Sequence, residues 1–379
     1  MYNIDHQPAI LYFHSVAPRK NQQWFRSYLT LELKYFENLL CFIKKKNFKT
    51  FFISEMAQNG CKVGKAIYLS FDDGYLDNWV YAFPLLKKYG IKATIFCSTD
   101  YIDGNEVCRP TLEDVWNGKL KQSELTPWGF CSVCELREME RSGLIDIQSH
   151  TVTHDKLPVS GLIIGFHHSG NRNLNFIFPE NSNMKPGYIT HGRLVESVSY
   201  GRPLFEEKSA VLAPRVWINE GFIQAVIHRL KGFDWKTYHF QKALAHVRPV
   251  IQSYQEKDQI ITRRETEVAY RERVENEVLG SKQALEQMLK KNISVICWPH
   301  GDFNPLAVEM ARNVGYEKIH YVETKKNGVP PGVDLFTRIG VRSVLNSRFL
   351  TQLKIKTKIY THQGKFPYPQ LSTLYRSFK

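Results

Sequence analysis

The 379-residue chain has no run of about 18 apolar residues, the length a membrane-spanning helix needs, so a transmembrane protein is not expected. Its amino terminus, MYNIDHQPAI, has neither the basic start nor the continuous apolar stretch of a secretory signal. Cysteine is sparse and odd in number. The seven residues, at 41, 61, 97, 108, 131, 134 and 297, are scattered in the manner of reduced thiols in a cytoplasmic setting. Cys131 and Cys134 form one C-x-x-C pair, but no second Cys or Cys/His pair stands at the spacing of a structural zinc site. Two partly buried thiols are the expectation there. Helix-turn-helix and RNA-binding motifs are missing, which argues against specific nucleic-acid recognition. Repeats and low-complexity tracts are missing too.

What the chain does have is core material. At 43% hydrophobic and 23% charged it is a folded globular protein, not a disordered one. Lys and Arg number 51 against 37 Asp and Glu, a net charge of +14 that favours contact with phosphates, lipid headgroups or an acidic glycan. Apolar strand-like runs alternate with helical stretches. Residues 8–14, 49–53, 66–71, 92–98 and 144–148 read as strands, with helices over 31–46, 77–89 and 132–142 between them. The order resumes with a helical stretch over 264–291, a strand at 293–298, a helix at 305–314 and a strand at 318–322. Such β–helix–β repetition predicts parallel strands joined by crossovers, an α/β fold. Residues 158–245, rich in glycine, proline and asparagine, break the rhythm and read as a long insertion within one domain spanning 1–379.

Four polar clusters fall at the downstream ends of predicted strands: His14, Asp72-Asp73, His150 with His154, and Trp298-Pro299-His300-Gly301-Asp302. In a barrel of parallel strands these ends share one rim, where barrel enzymes place their sites. Neighbouring carboxylates leaving a strand point in opposite directions, so Asp72 and Asp73 can serve different tasks, although Asp-Gly is also a common turn dipeptide. His150 and His154 have the spacing of a helical ligand pair, but the β-branched residues between them and the missing glutamate disfavour a metallopeptidase helix. A loop after the strand fits better. Two imidazoles and one carboxylate suit Zn²⁺, Fe²⁺ or Co²⁺ and leave a position for water.

These residues carry a resemblance. Ser70-Phe71-Asp72-Asp73-Gly74 resembles the first motif of the polysaccharide deacetylases, family 4 carbohydrate esterases with the nodulation-deacetylase homology domain. Ser149-His150-Thr151-Val152-Thr153-His154 resembles their second motif, and Trp298-Pro299-His300-Gly301 their third, with His300 where a tyrosine is usual. The family implies a distorted or incomplete (β/α) barrel. It implies that Asp73, His150 and His154 bind one divalent metal ion, Zn or else Co, Ni or Fe, and that Asp72 is the general base toward water at that metal. It further implies that the backbone N–H of His300 stabilises the oxyanion while Trp298 and Pro299 wall the acetyl pocket. Tyr12-Phe13-His14-Ser15-Val16 resembles the setting of the acid histidine in the poly-N-acetylglucosamine deacetylase branch, which makes His14 the candidate general acid. Arg338, in a strand-like segment at 336–341, is a further candidate at the substrate end; it could orient Asp72, and a plain rim salt bridge fits equally.

The expected activity is hydrolytic removal of an N-acetyl group from a hexosamine-containing saccharide, with one linked to a nucleotide or lipid diphosphate as a candidate. Cytoplasmic placement, with peripheral contact at an anionic inner membrane face, would match the charge and the cysteines. One rival is a catalytically silent basic protein that binds an anionic glycan, nucleic acid or membrane. Another is a two-carboxylate glycoside hydrolase working without metal.

Overall fold

The computed structural model describes residues 9–20, 24, 26–56, 65–168, 185–186, 198–320, 338–341, 348–362 and 367–368. Cys61, the last two residues of the predicted strand 318–322, Phe336, Thr337 and much of the insertion lie outside the described residues. Strands β1 (Ala9–Phe13), β2 (Ser15–Ala17), β3 (Thr30–Glu32) and β4 (Lys49–Phe51) lead to β5 (Ala66–Asp72), β6 (Ala93–Cys97) and β7 (Ile145–Ser149). The insertion adds β8 (Lys156–Phe166), β9 (Pro203–Ser209), β10 (Val216–Ile218) and β11 (Ile261–Arg264). The chain then returns through β12 (Val295–Cys297), β13 (Lys318–His320) and β14 (Arg338–Gly340).

The main sheet has the order β13-β12-β7-β6-β5-β1-β14, with β4 also on β5, and its pairings are parallel. Among the described residues β13 and β14 do not pair, so the (β/α) barrel expected from sequence is present and incomplete. The helix Leu33–Lys45 shows how the outer layer forms. Tyr35, Phe36, Leu39, Leu40 and Ile43 recur at helical spacing and are buried against the sheet.

Strand alternation decides what faces the barrel interior. Ala9, Leu11 and Phe13 of β1, with Ile67, Leu69 and Phe71 of β5, join the core under the helices, whereas Ile10, Ala66 and Tyr68 join Phe96, Val295 and Cys297 in a second cluster on the inner side. Continuing that parity by two and four residues takes Ser70, Asp72 and His14 to the inner face at its downstream rim. Hydrophobic patterning thus aims the polar residues at one place.

The insertion closes on a core of its own. Phe166, Phe205, Phe222, Val226, Ala243, Val247 and Ile260 pack together, and the strand pairs β8–β9 and β10–β11 are antiparallel and separate from the main sheet. This lobe runs from Lys156 to Arg264, beyond residue 245, because β11 is the partner of β10. The predicted helix 264–291 is one helical path in three parts: Glu267–Glu275, a π-turn at Asn276–Gly280, and Ser281–Leu289.

The cysteines differ from expectation. Cys134 pairs with Cys108 in a disulfide at a Cα–Cα distance of 5.4 Å, while Cys131 is a buried free thiol. The C-x-x-C spacing placed Cys131 and Cys134 side by side in sequence, but the helix that begins at Val133 turns Cys134 toward the 105–111 loop instead. The bridge removes the reduced-thiol argument for a cytoplasmic setting. Among the described residues no helix is long and apolar enough to cross a membrane.

Candidate active site

At the end of β5 the chain turns sharply. Asp73 has φ 72° and Gly74 φ 75°, both in the left-handed region. Only glycine fits at 74, since a Cβ there would lie 2.9 Å from Cys97 Sγ. The turn swings Asp73 back, so its carboxyl meets the site that Asp72 already faces; both are almost fully buried.

β7 delivers His150, and the stretch after it is a loop, as its β-branched residues predicted. The Nδ1 of His150 lies 2.6 Å from the carbonyl oxygen of Cys297. A proton on Nδ1 makes that contact a hydrogen bond and leaves Nε2 facing Asp73. Asp73 Oδ1 lies 3.4 Å from His150 Nε2 and 3.2 Å from His154 Nε2. One ligand atom from each of the three residues falls within 4.8 Å of the others. The Asp73 Oδ1 atom is buried and has no hydrogen-bond partner, although two imidazole nitrogens converge on it. An acidic oxygen left in that state between two imidazoles is what a divalent cation would complete, and one carboxylate with two imidazoles fits Zn²⁺, Fe²⁺ or Co²⁺.

Burial opposes the charge of Asp73, but His154 and His150 hold its carboxyl well below the usual carboxylate range. The two imidazoles diverge. Burial drives His154 down to about 4, the neutral form that ligates metals. At His150 burial is outweighed by Cys297 and Asp73, and its pKa rises.

Asp72 occupies the other half of the site. Arg338 donates from both terminal nitrogens to its two oxygens, at 2.7 and 2.8 Å, and to Ser70 Oγ at 3.1 Å. Burial would raise the Asp72 carboxyl, yet the Arg338 guanidinium and His150 keep it below its ordinary value. Arg338 itself is 2% exposed, so it acts on Asp72 and presents no surface to a ligand. His14 Nε2 stands 3.9 Å from Asp72 Oδ2, with 19% of its side chain exposed. Burial lowers its pKa, against the pull of Asp73 and Asp72.

The third cluster closes the site. Pro299–Gly301 form a single turn in which His300 takes φ 59°, and its ring packs edge-on against His154 at 4.5 Å between centroids. His300 Nε2 is buried without a partner, and burial followed by the charge of His154 holds its pKa well below the usual value. Trp298 is fully buried in the core under the helices, and Pro299 is buried beside it. The structure thus brings Asp72, Asp73, His14, His150, His154 and His300 together and places Trp298 and Arg338 behind them.

Sequence reasoning did not single out the residues that brace this rim. Asn78 opens a π-turn, Asn78–Ala82, and its Nδ2 donates to the His14 carbonyl at 2.8 Å and to Asp77 Oδ1 at 2.9 Å. Asp77 also accepts from the Ser15 hydroxyl. A π-turn shares the helical spacing of apolar residues, so periodicity alone could not reveal it. Burial raises Asp77 to about 7 from an ordinary 3.8. A raised carboxyl pKa means stability fully present below the unfolded value and lost as pH rises through the folded one. Asp155 and Glu207 are raised into the same window, to about 6 and about 7, in both proteins, so wild-type protein should lose up to roughly 4 kcal/mol more than Asp77→Asn between about pH 4 and pH 7. Urea midpoints measured at several pH values check this. Equal slopes for the two proteins would assign the titration to another group.

The polysaccharide deacetylase family model matches residues 59–162 and 253–319, leaving out most of the inserted lobe. The "Putative polysaccharide deacetylase YxkH" of Bacillus subtilis (strain 168) is 29% identical over 157 residues, 40% of this chain and 44% of that relative. The chain thus spans under half the length of that curated relative. A de-N-acetylase from Aggregatibacter actinomycetemcomitans has the same fold at 17% identity, with a TM-score of 0.54, covering 91% of this chain and 99% of that one. The BpsB deacetylase domain from Bordetella bronchiseptica aligns with a TM-score of 0.48 at 17% identity, over 88% and 95% of the two chains. With the Asp-Asp and His-His sets converging inside the first matched stretch and His300 inside the second, the residues of the site lie within the parts of the chain that match the polysaccharide deacetylase family.

Proposed function

We propose that the protein is a metal-dependent N-deacetylase that hydrolyses the acetamido group of an N-acetylhexosamine-containing saccharide. The observation that carries the proposal is the unpartnered Asp73 Oδ1 held between the Nε2 atoms of His150 and His154. Those three residues would hold one divalent ion, Zn²⁺ or else Co²⁺, Ni²⁺ or Fe²⁺. Such an ion acidifies water and polarises an acyl oxygen.

The rest is the work of the chain. Asp72, kept ionised by Arg338, accepts the proton of the attacking water. His14 delivers a proton to the departing amine. The Asp72 carboxyl beside it favours the protonated imidazole, while burial makes that proton easy to give. The backbone N–H of His300 would face the oxyanion, a donor typically worth about 3 kcal/mol of barrier. Trp298 and Pro299 would support the acetyl pocket from behind, and Arg338 would serve through Asp72.

The surplus of 14 positive charges favours a saccharide carried on a nucleotide or lipid diphosphate, or contact with an anionic membrane. The named activity of the Aggregatibacter neighbour, de-N-acetylation, agrees with the reaction class. Disulfides persist in oxidising surroundings, so the Cys108–Cys134 bridge weighs against cytoplasmic placement, which does not form part of the proposal.

The test is acetate release from a panel of N-acetylated saccharides. Activity should disappear with a chelator and return with Zn²⁺ or Co²⁺, and diphosphate-linked sugars should outrun neutral chito-oligosaccharides. Release that survives complete metal removal would sink the metal-dependent reading. Equal rates on neutral and diphosphate-linked sugars would remove the anionic substrate.

A further inference from the structure

The loop that carries His150 and His154 is strained. Thr151 and His154 both take left-handed backbone, at φ 65° and φ 55°, which non-glycine residues keep only where the surroundings enforce it. Two buried side chains from distant parts of the sequence supply that enforcement, and both meet at Thr153, the residue before His154.

The first is Glu277, in the π-turn Asn276–Gly280 and 3% exposed. Its Oε2 accepts from the backbone N–H of Val152 at 3.0 Å and of Thr153 at 2.9 Å, and its Oε1 accepts from the Thr153 hydroxyl. One turn on, Ser281 Oγ meets Ser149 Oγ at 2.8 Å, at the end of β7. The second is Lys185, from the inserted lobe and fully buried. Its ammonium reaches the Thr153 carbonyl at 2.9 Å, Asp155 Oδ1 at 3.0 Å and Asp100 Oδ2 at 3.1 Å. Three donors meet three acceptors, so the group is fully satisfied. Thr153 is gripped through its N–H and hydroxyl on one side and through its carbonyl on the other.

We propose that Glu277 and Lys185 are positioning residues for the metal centre: through Thr153 they fix the loop in the one shape that sets both imidazoles on Asp73. Neither touches substrate or the cation. The lobe therefore contributes to the site through Lys185. This inference rests on the metal-binding reading above, and wild-type protein that bound no Zn²⁺ or Co²⁺ would refute that reading before any variant was made.

The experiment uses the full chain, stripped and reloaded. Zn²⁺ affinity is measured by competition with a chromophoric chelator, the visible spectrum of the Co²⁺ form reports ligand geometry, and the melting of the metal-free protein reports folding. Glu277→Ala should bind Zn²⁺ about 10- to 100-fold more weakly and alter the Co²⁺ spectrum, the range typical when support of metal ligands is removed. Glu277→Gln should restore both, since its amide oxygen can accept the two N–H groups and its NH₂ can donate to the Thr153 hydroxyl oxygen. Lys185→Met should change the Co²⁺ spectrum in the same direction as Glu277→Ala. Thr153→Val, which removes one hydroxyl and no charge, should weaken Zn²⁺ binding to a smaller extent and keeps the test available if Glu277→Ala does not fold. Wild-type affinity and spectrum in folded Glu277→Ala, or in Thr153→Val if the alanine variant is unfolded, would overturn the proposal. So would a glutamine variant as weak as the alanine one. An unchanged Co²⁺ spectrum in Lys185→Met would remove Lys185 from it.

Discussion

Asp73→Ala should lose metal binding and acetate release together, while Asp72→Asn should keep the metal and still lose most turnover. The two carboxyls are adjacent in sequence and buried alike, so composition and exposure predict the same outcome for both. Geometry separates them. Asp73 Oδ1 is the atom on which His150 and His154 converge, at 3.4 and 3.2 Å, and its loss removes one of three ligands. A bound ion supplies several kcal/mol of transition-state stabilisation, and about 4 kcal/mol corresponds to roughly a thousandfold in rate. Asp72 instead spends both oxygens on Arg338 and faces His14. Asparagine there keeps a carbonyl for the guanidinium but cannot take up a proton, so kcat should fall by roughly a hundredfold or more, the usual worth of a positioned base. Metal content by elemental analysis and acetate release on the same preparations check both. An Asp72→Asn enzyme of near-normal turnover would mean that Asp72 is not the base.

Much of this site was legible before the structure because strand ends are cheap to read. The run AIYLSF is followed at once by Asp72, and a seven-residue strand, Ala66–Asp72, forms there. Two-residue alternation then assigns Tyr68, Ser70 and Asp72 to one face without any knowledge of the partners. The convergence of His150 with Asp73 was legible for the same reason, since parallel strands end on one rim. The supports were not. Glu277 is one of several glutamates in the helical stretch 264–291, and the π-turn Asn276–Gly280 carries it under the loop. Lys185 sits in a glycine- and proline-rich insertion with no periodic pattern to place it. The Cys108–Cys134 pairing was hidden because separation in sequence says nothing of which two Cα atoms come within disulfide reach. Local pattern records where a chain turns, whereas these contacts depend on which distant segment packs behind the turn.

That distinction makes Arg338 the residue with the largest expected effect on stability. It reaches the interior from β14, is 2% exposed, and lies over the rings of Tyr12 and Phe96 at 4.8 and 5.6 Å. Its positive charge is balanced by Asp72 through two hydrogen bonds. Arg338→Met keeps much of the volume and removes the charge, leaving a buried carboxylate without its cation, a change that typically costs about 3–5 kcal/mol. The pH dependence fixes the cause. Asp72 is held below its ordinary 3.8 in the folded protein, so its pairing stabilises above that value and is lost as pH falls through the folded one. In Arg338→Met only His150 and His14 still oppose burial and the Asp72 pKa should rise, so the deficit should be full at pH 7 and shrink toward pH 4. Adding Asp72→Asn to Arg338→Met should recover a good part of the loss, because a neutral amide needs no counter-charge. Asp72→Asn alone should cost stability too, leaving the guanidinium with only a neutral partner, so its turnover has to be assayed well below its melting temperature. Denaturant midpoints of the four proteins at pH 4 and pH 7 form a complete double-mutant cycle. Additive losses, unchanged between the two pH values, would show that Arg338 holds the barrel by packing on Tyr12 and Phe96 and that the ion pair with Asp72 contributes nothing further.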